Sequence, residues 1–294
     1  MGKSRFNKPV KYSVIYNYNT MLAFGNTNIR VVLIGLPLLK AYCHTNGLEQ
    51  CGIIMKMLNH VIQYYESRQT TQSHEHSVYQ WVYVHEGSGI ISTEDGGFLL
   101  LTGQLVYIPA YVSHEFIALK NSCLSLIFSG QDVATPPIQS IGLLASHTLW
   151  TQLMAYLRHN QPHLTQALWQ HYDAILLDQL ARFTPLQGYR LSSGCVDLRL
   201  LNVIESLSHS VSIKTSLASV SQQSGASERT LNRLFAEQLN TTYQAFRYQL
   251  VMQKAQQAYE QGESVTNIAF DLGYKSLSAF SRAFLDYQKS MKPC

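Results

Sequence analysis

Charge is scarce in this chain. Asp, Glu, Lys and Arg together make up 14% of its 294 residues, against roughly 25% in ordinary soluble domains. A disordered polyelectrolyte carries charge and lacks aromatics. Here 46% hydrophobic and 11% aromatic residues are enough to bury a large core. The net charge is only +4, which excludes a generic basic coat for nucleic acid; any basic field must be local. Cysteine is sparse and unpatterned. Cys43, Cys51, Cys123, Cys195 and Cys294 are odd in number and lack C-x-x-C spacing, so free thiols in a reducing compartment are expected rather than a disulfide framework. Long hydrophobic runs are missing as well. The longest, Val31 to Leu39, is flanked by Arg30 and Lys40 and interrupted by Pro37, about half of what a bilayer span needs. The basic stretch Met1 to Ser13 leads into Tyr- and Asn-rich residues and not into the apolar region of a signal peptide. The expectation is a soluble cytoplasmic protein with no membrane partner. No Gly-rich loop with a following Lys is present to cradle phosphates, and Asp173 and Asp178 form no catalytic pair.

What is there changes character twice. From about Tyr12 to Phe128 the pattern favours short strands. Ser77 to Val84 is rich in β-branched and aromatic residues and ends at Gly87-Ser88-Gly89; Ile90 to Thr93 runs into the turn Glu94-Asp95-Gly96-Gly97; Phe98 to Leu101 and Gln104 to Ile108 follow, the latter stopped by Pro109. Such spacing predicts a sandwich or small barrel. Gln131 to Pro137 reads as a connection. From Ile141 to about Phe183 the period becomes helical, with Leu149, Leu153, Tyr156 and Leu157 on one stretch and Ile175, Leu176, Gln179 and Leu180 on another, Pro162 between them. These helices are packing elements or a dimer face. Gly188 to Gly194 reads as a linker, and from Val196 the chain is helical with breaks at Gly225, Asn240, Gly262 and Gly273.

The segment Leu217 to Phe235 reads as helix, turn, helix. Gly225 permits the tight turn and Ser227 is a good N-cap. Leu231, Leu234 and Phe235 share one face by their spacing, while Arg229, Asn232 and Arg233 share the opposite one. Arg pairs bidentately with guanine and Asn with adenine in the major groove, so that face suits base readout. A second unit follows: Val265 to Leu272 as a short helix, Gly273-Tyr274-Lys275-Ser276 as the turn, and Leu277 to Phe284 as the second helix. Phe280, Ala283 and Phe284 face in; Leu277, Ser278, Ser281 and Arg282 face out. Thr241 to Glu260 forms one helix between the units, without Gly or Pro.

On these residues, above all Ser227-Glu228-Arg229-Thr230-Leu231 with Arg233 and Phe235, Ile268-Ala269, Gly273-Tyr274 and Ser278 to Phe284, the C-terminal third resembles the DNA-binding domain of the AraC/XylS family of bacterial transcription regulators. The resemblance implies a seven-helix domain that places two recognition helices in successive major grooves of double-stranded DNA, about one helical turn or ~34 Å apart. It assigns Arg229, Asn232 and Arg233 to the first reading face and Leu277, Ser278, Ser281 and Arg282 to the second. The helix starts at Ser227 and Ser276 would meet phosphates. The chain departs from the family at Val251, where many members carry Arg. Its tail Lys289 to Cys294 lacks the usual Gly and stops near the Pro, so the last helix is expected to be short or unusually packed. From Cys195 on there are ten Lys/Arg and eight Asp/Glu, so net charge alone would not reveal a DNA-binding part.

In the N-terminal half, His74-x-His76-x3-Gln80 with Gly87, then Gly103-x5-Pro109-x4-His114, resembles the two motifs of the cupin fold. Gln80 stands where metal-binding cupins usually carry Glu. On a single strand, residues at i, i+2 and i+6 share one face, so His74, His76 and Gln80 are expected to point into the barrel together, with His114 arriving from another strand. Two or three imidazoles and an amide oxygen can hold a divalent ion; the alternatives are a pocket for an organic effector and a hydrogen-bonded structural cluster. No cofactor is assigned. Tyr79, Trp81, Tyr83 and Tyr107 would suit an aromatic effector, although core packing is their commoner role.

The fold class expected is therefore α+β in two domains. Residues 1–190 would form a cupin-like effector-sensing and dimerisation domain, its β-barrel core at about 50–130 and its helices at about 141–184. Residues 195–294 would form an all-α domain with two helix-turn-helix units joined by a linker helix. The function expected is a sequence-specific DNA-binding regulator responsive to a small molecule, and not an enzyme. It would act as a homodimer, with RNA polymerase as a further partner if it activates. The rival is a cupin metalloenzyme, an oxygenase or isomerase with a helical appendage.

Overall fold

The computed structural model describes residues 58–290 apart from 95, 132, 193 and 194. The readings on Tyr12 to residue 57, including Val31 to Leu39, Cys43 and Cys51, and on Cys294 lie outside the described residues.

Ten strands make two antiparallel sheets. They are β1 (Asn59–Tyr65), β2 (Gln69–Thr70), β3 (Tyr79–Glu86), β4 (Ser88–Thr93), β5 (Gly96–Leu101), β6 (Leu105–Ile108), β7 (Glu115–Ala118), β8 (Ser122–Ser129), β9 (Gly142–Leu144) and β10 (Arg190–Leu191). One sheet has the order β1-β8-β3-β6-β9 and the other β10-β5-β4-β7-β2. Strand alternation sorts β3 cleanly. Val82 and Val84 meet Ile91, Leu100, Val106, Ile108 and Leu124 between the sheets. Trp81 and Tyr83, with Tyr107 of β6, point the other way.

That outer face of the first sheet is covered by α1 (Thr148–Asn160) and α2 (Gln166–Arg182), joined through a 3-10 turn at Gln161–His163 that holds Pro162. Their buried stripes are Trp150, Met154 and Leu157 on α1 and Leu176 and Leu180 on α2. Each such fully buried side chain contributes roughly 1.5–3 kcal/mol. Three of the apolar positions picked from the period lie outside the stripe: Leu149, Tyr156 and Ile175 are exposed. Two further expectations need correction. Gly142–Leu144, inside the stretch read as helical, is strand β9 on β6. Arg190–Leu191, inside the stretch read as a linker, is strand β10 on β5.

Six helices complete the described chain: α3 (Leu198–His209), α4 (Leu217–Ser224), α5 (Glu228–Leu239), α6 (Tyr243–Glu260), α7 (Val265–Asp271) and α8 (Leu277–Ser290). The seventh helix implied by the family resemblance has no counterpart among the described residues. The last helix is not short: α8 spans 14 residues, and Phe280, Phe284 and Tyr287 are buried along it.

The outer face of the second sheet is covered by this helical part. Ile90, Leu99, Leu101 and Leu119 join Leu200, Leu201, Ile204 and Leu207 in one apolar cluster. Polar ties surround it. Arg68 donates to both Glu205 carboxylate oxygens, at 3.0 and 2.8 Å, and to Asn202. Lys120 N–H donates to Glu205, and Ser208 donates to Ser88.

Candidate nucleic-acid interface and histidine cluster

The first helix pair is built from local signals. Ser216 caps α4, and Gly225 closes it with φ 69° and ψ 22°, a left-handed conformation that Gly adopts at no steric cost. Ser227 then caps α5, accepting a hydrogen bond from Thr230 N–H at 3.1 Å. Leu231, Leu234, Phe235 and Leu239 are buried. Arg229, Asn232 and Arg233 are all exposed on the far side, as expected from their spacing. Arg233 is paired with Glu237 at 3.0 Å, with both side chains more than half exposed. Such a surface pair is worth about 0–1 kcal/mol, so releasing Arg233 to a base edge costs little.

The second pair repeats the plan. Ser264 caps α7, Gly273 turns with φ 84°, and Ser276 Oγ accepts from Ala279 N–H at the start of α8. Leu277, Ser278 and Arg282 are exposed and Ser281 is half-buried. Arg229 and Arg282 have no ion pair among the described residues. Between the units α6 runs 18 residues without a break, a rod of roughly 27 Å at 1.5 Å per residue. Its buried face, Phe246, Leu250, Val251 and Ala255, belongs to the cluster that holds both units. Val251, where the family often has Arg, is fully buried here.

In the N-terminal half the histidines do meet, but not by the route expected. His74 and His76 are not on a strand; only Gln80 is, on β3. The polar run Ser73 to Ser77 forms a loop, and His74 joins His114 through a single antiparallel bridge, His74 N–H donating to His114 O and the reverse. One nitrogen from each of His74, His76 and His114 lies within 4.8 Å of the others. Each ring's Nδ1 is 2.8 Å from a backbone carbonyl two residues away: Gln72 for His74, Val78 for His76 and Val112 for His114. Metal-bound imidazoles are held in this way, with the outer nitrogen fixed and the inner one presented.

The donor set fits a divalent ion. Nitrogens bound to a tetrahedral ion at 2.0–2.1 Å stand about 3.4 Å apart, so the cluster would contract by about an ångström. His76 also contacts Gln80 Oε1 through Nε2 at 2.8 Å. A neutral ring cannot donate from both nitrogens, so a neutral His76 requires the Gln80 amide turned to donate its NH2. In that form the His76 Nε2 lone pair accepts from the Gln80 NH2, so an ion binding at Nε2 would displace that hydrogen bond. Burial lowers the His114 pKa to about 4, which keeps that ring in the unprotonated form a metal needs.

The aromatic residues considered for an effector pocket are elsewhere. Trp81, Tyr83 and Tyr107 face α1 and α2 and serve the core, with Tyr79 packed at its margin.

The helix pairs and the histidine loop each match a known domain family. Residues 220–289 match the helix-turn-helix domain and residues 61–129 match the cupin domain. The chain is a cupin and helix-turn-helix protein of the AraC/XylS type. A curated relative of this AraC/XylS-type chain is the HTH-type transcriptional regulator NimR of Escherichia coli, 22% identical over 215 residues, which are 73% of this chain and 78% of NimR. Among solved structures, unsaturated fatty acid bound ToxT of Vibrio cholerae aligns with 78% of this chain and 91% of its own, at 10% identity and a TM-score of 0.31. A cupin from Shewanella frigidimarina aligns with 26% of this chain and 69% of its own, at 22% identity and a TM-score of 0.24.

Sequence reasoning about this AraC/XylS-type chain missed the contacts that join its halves. Arg68 and Glu205 are 137 residues apart, and neither sits in a motif. It also missed a histidine pair: buried His60 and half-buried His85 each contact Ser125 Oγ through Nε2 at 2.7 Å. Among the described residues no helix is long and apolar enough to cross a membrane.

Proposed function

We infer that this protein is a cytoplasmic, sequence-specific DNA-binding transcription regulator whose cupin half senses a small molecule. The observation that carries this reading is the pair of capped helices α5 and α8, each with a buried apolar face and an exposed outer one, tied to one continuous α6. Arg229, Asn232 and Arg233 would read base edges in one major groove. Leu277, Ser278, Ser281 and Arg282 would meet a thymine methyl and phosphates in the next. Ser227 and Ser276 would direct helix N-termini at phosphates.

The histidine cluster is the sensor site of this reading. His74, His76 and His114 would hold a divalent ion, with Gln80 joining through its amide oxygen only once its hydrogen bond to His76 opens. Such an ion would supply a Lewis-acid contact for an oxygen of the effector. NimR, a transcriptional regulator by name, supports a regulator over an enzyme. The exposed Leu149 and Tyr156 on α1 and Leu168 and Ile175 on α2 would form the face of a homodimer. RNA polymerase would be the further partner of an activator.

Selection of bound sequences from a random duplex pool tests the reading. A bipartite site, its halves centred about 10 bp apart, is the expected result. Absence of any enriched sequence, together with turnover that is lost on chelation, would replace the regulator with a cupin metalloenzyme.

A further inference from the structure

The first reading helix carries a carboxylate on the same side as its arginines. Arg229, Arg233 and Glu237 follow one another at i, i+4 and i+8 on α5 and all three are exposed, a single row that spans about 12 Å at 1.5 Å per residue. As a helix-stabilising pair, Arg233 and Glu237 stand the wrong way round. The favourable order puts the acid N-terminal to the base. Glu237 instead lies in the last turn of α5, at the negative end of the helix dipole. The stability of α5 therefore gives little reason for a carboxylate at this position.

The backbone under Glu237 is held in place. The last carbonyls of a helix lack partners within it, and here the segment that joins the two halves supplies them. Ser192 Oγ donates to Glu237 O at 2.6 Å, and Ser192 N–H donates to Gln238 O at 3.2 Å. Asp197 N–H donates to Gln238 Oε1 at 3.0 Å. The Asp197 carboxylate itself is taken up by Arg199, at 2.9 and 2.7 Å. Among the described residues the Glu237 carboxylate is bound by Arg233 alone, Nη1 donating to Oε2 at 3.0 Å. That contact leaves Nε and Nη2 of the guanidinium as a parallel fork of donors, and it leaves Oε1 of Glu237 to accept. Arg233 can thus meet a base without letting go of Glu237.

We propose that Glu237 is a further base-reading residue: while the Arg233 fork binds guanine O6 and N7, the Glu237 carboxylate accepts a hydrogen bond from the N4 amino group of a cytosine in the same or the neighbouring base pair. In the major groove guanine suits an arginine fork and cytosine N4 suits a carboxylate. The two heads are 3.0 Å apart, less than one base-pair step of about 3.4 Å, which keeps the two bases within a step of each other. The other bases serve Glu237 worse. Guanine and thymine present only acceptors there, and adenine sets its N7 acceptor beside its N6 donor. A carboxylate in the groove also repels the phosphates, so the residue favours only DNA that offers it a donor. The assignment rests on the DNA-binding reading above and deepens it.

The test is selection from a random duplex pool with the full natural chain, with Glu237→Gln and with Glu237→Lys, followed by affinities for the selected site and for versions changed at single base pairs. The natural chain should enrich a guanine with a cytosine at most one step away in the half-site read by α5. Glu237→Gln should keep the guanine and admit adenine in place of the cytosine, because a Gln amide pairs with adenine. The preference for cytosine over adenine at that position should fall roughly fivefold or more. Glu237→Lys should select guanine there instead, since Lys binds guanine O6 and N7. A motif unchanged by both substitutions would overturn the proposal, and so would an affinity change equal for all sequences. Loss of the guanine together with the cytosine in Glu237→Gln would overturn it as well, and would make Glu237 a positioning residue for Arg233. Absence of any enriched motif with the natural chain would sink the regulator and this proposal with it; a motif indifferent to the Glu237 substitutions would sink the proposal alone.

Discussion

Removing the Glu205 carboxylate should loosen a half of the protein that Glu205 does not belong to. The side chain is on α3, and it accepts two hydrogen bonds from Arg68, just after β1, and one from Lys120 N–H. Glu205 is 14% exposed and Arg68 24%, so the pair is shielded but not desolvated. Breaking a fully buried pair costs 3–5 kcal/mol and an exposed one about 0–1; the intermediate burial places Glu205→Ala at about 2 kcal/mol. The three tryptophans make a selective reporter. Trp81, Trp150 and Trp169 all lie in the layer between the first sheet and the helices α1 and α2, so their fluorescence reports unfolding of the cupin half alone. With a urea slope of about 2–3 kcal/mol per molar, the midpoint of the tryptophan transition should fall by roughly 0.7–1 M. Arg68→Ala should do much the same, and the double variant should add little to either, a coupling of about 1.5–2 kcal/mol. A midpoint moved by less than about 0.2 M would show that the halves unfold independently and refute the reasoning.

The other expectations concern the DNA face, pH and the turns. Arg233→Ala should weaken specific DNA binding by about 1–3 kcal/mol and relax preference at one base, whereas Arg282→Ala should weaken all sequences alike and reduce the salt slope by about one. An equal loss for Arg233→Ala on random DNA would contradict base reading. Burial lowers the folded-state pKa of His60 and of His114 to about 4 and of His85 to about 3. Between pH 4 and 6.5 the unfolded chain therefore binds nearly three more protons at these rings, a destabilisation that grows as pH falls. Buried Asp173, raised to about 7, acts the opposite way over the same window, because its folded form holds a proton that the unfolded form releases. The net is about two protons, or on the order of 2–3 kcal/mol per pH unit. Urea midpoints should thus rise from pH 4.5 to 6.5, and a flat profile would argue against burial of the three rings. Gly225→Ala should cost about 1 kcal/mol for its left-handed conformation alone, since a Cβ there meets nothing within 4 Å. Gly273→Ala should cost more in a circular-dichroism melt, because its Cβ would lie 2.3 Å from Ser212 Oγ; equal costs would contradict the packing described.

What could be read from the sequence is what depends on neighbours in the chain. The caps Ser227 and Ser276, the turn glycines and the apolar faces around Phe235 and Phe280 are local signals, and both helix pairs stand where those residues predict. The histidines were legible as a set through their motif spacing, yet the physical reason given was wrong: a bridged loop, not one strand, brings His74 and His76 to His114. Strands β9 and β10 were invisible because three and two residues carry no period; they exist only because a sheet edge is there to pair with. The buried stripes of α1 and α2 were partly misread because exposed Leu149, Tyr156 and Ile175 fit a helical period as well as buried Trp150 and Met154 do. The ties between the halves, Arg68 with Glu205 and Ser208 with Ser88, lie more than a hundred residues apart, beyond any pattern in the sequence.

The central claim is that α6 holds two recognition helices at a separation that reads one face of the duplex. It is tested most directly by taking the selected DNA site and inserting 5 bp between its halves, then 10 bp. Half a turn places the second half-site on the far side of the helix, out of reach of α8 in the same molecule. Affinity should fall toward that of a single half-site with either insert, because a rod of roughly 27 Å neither twists by half a turn nor stretches by a whole one. An affinity unchanged by the 5 bp insert would mean that only one unit touches DNA, and would contradict the account.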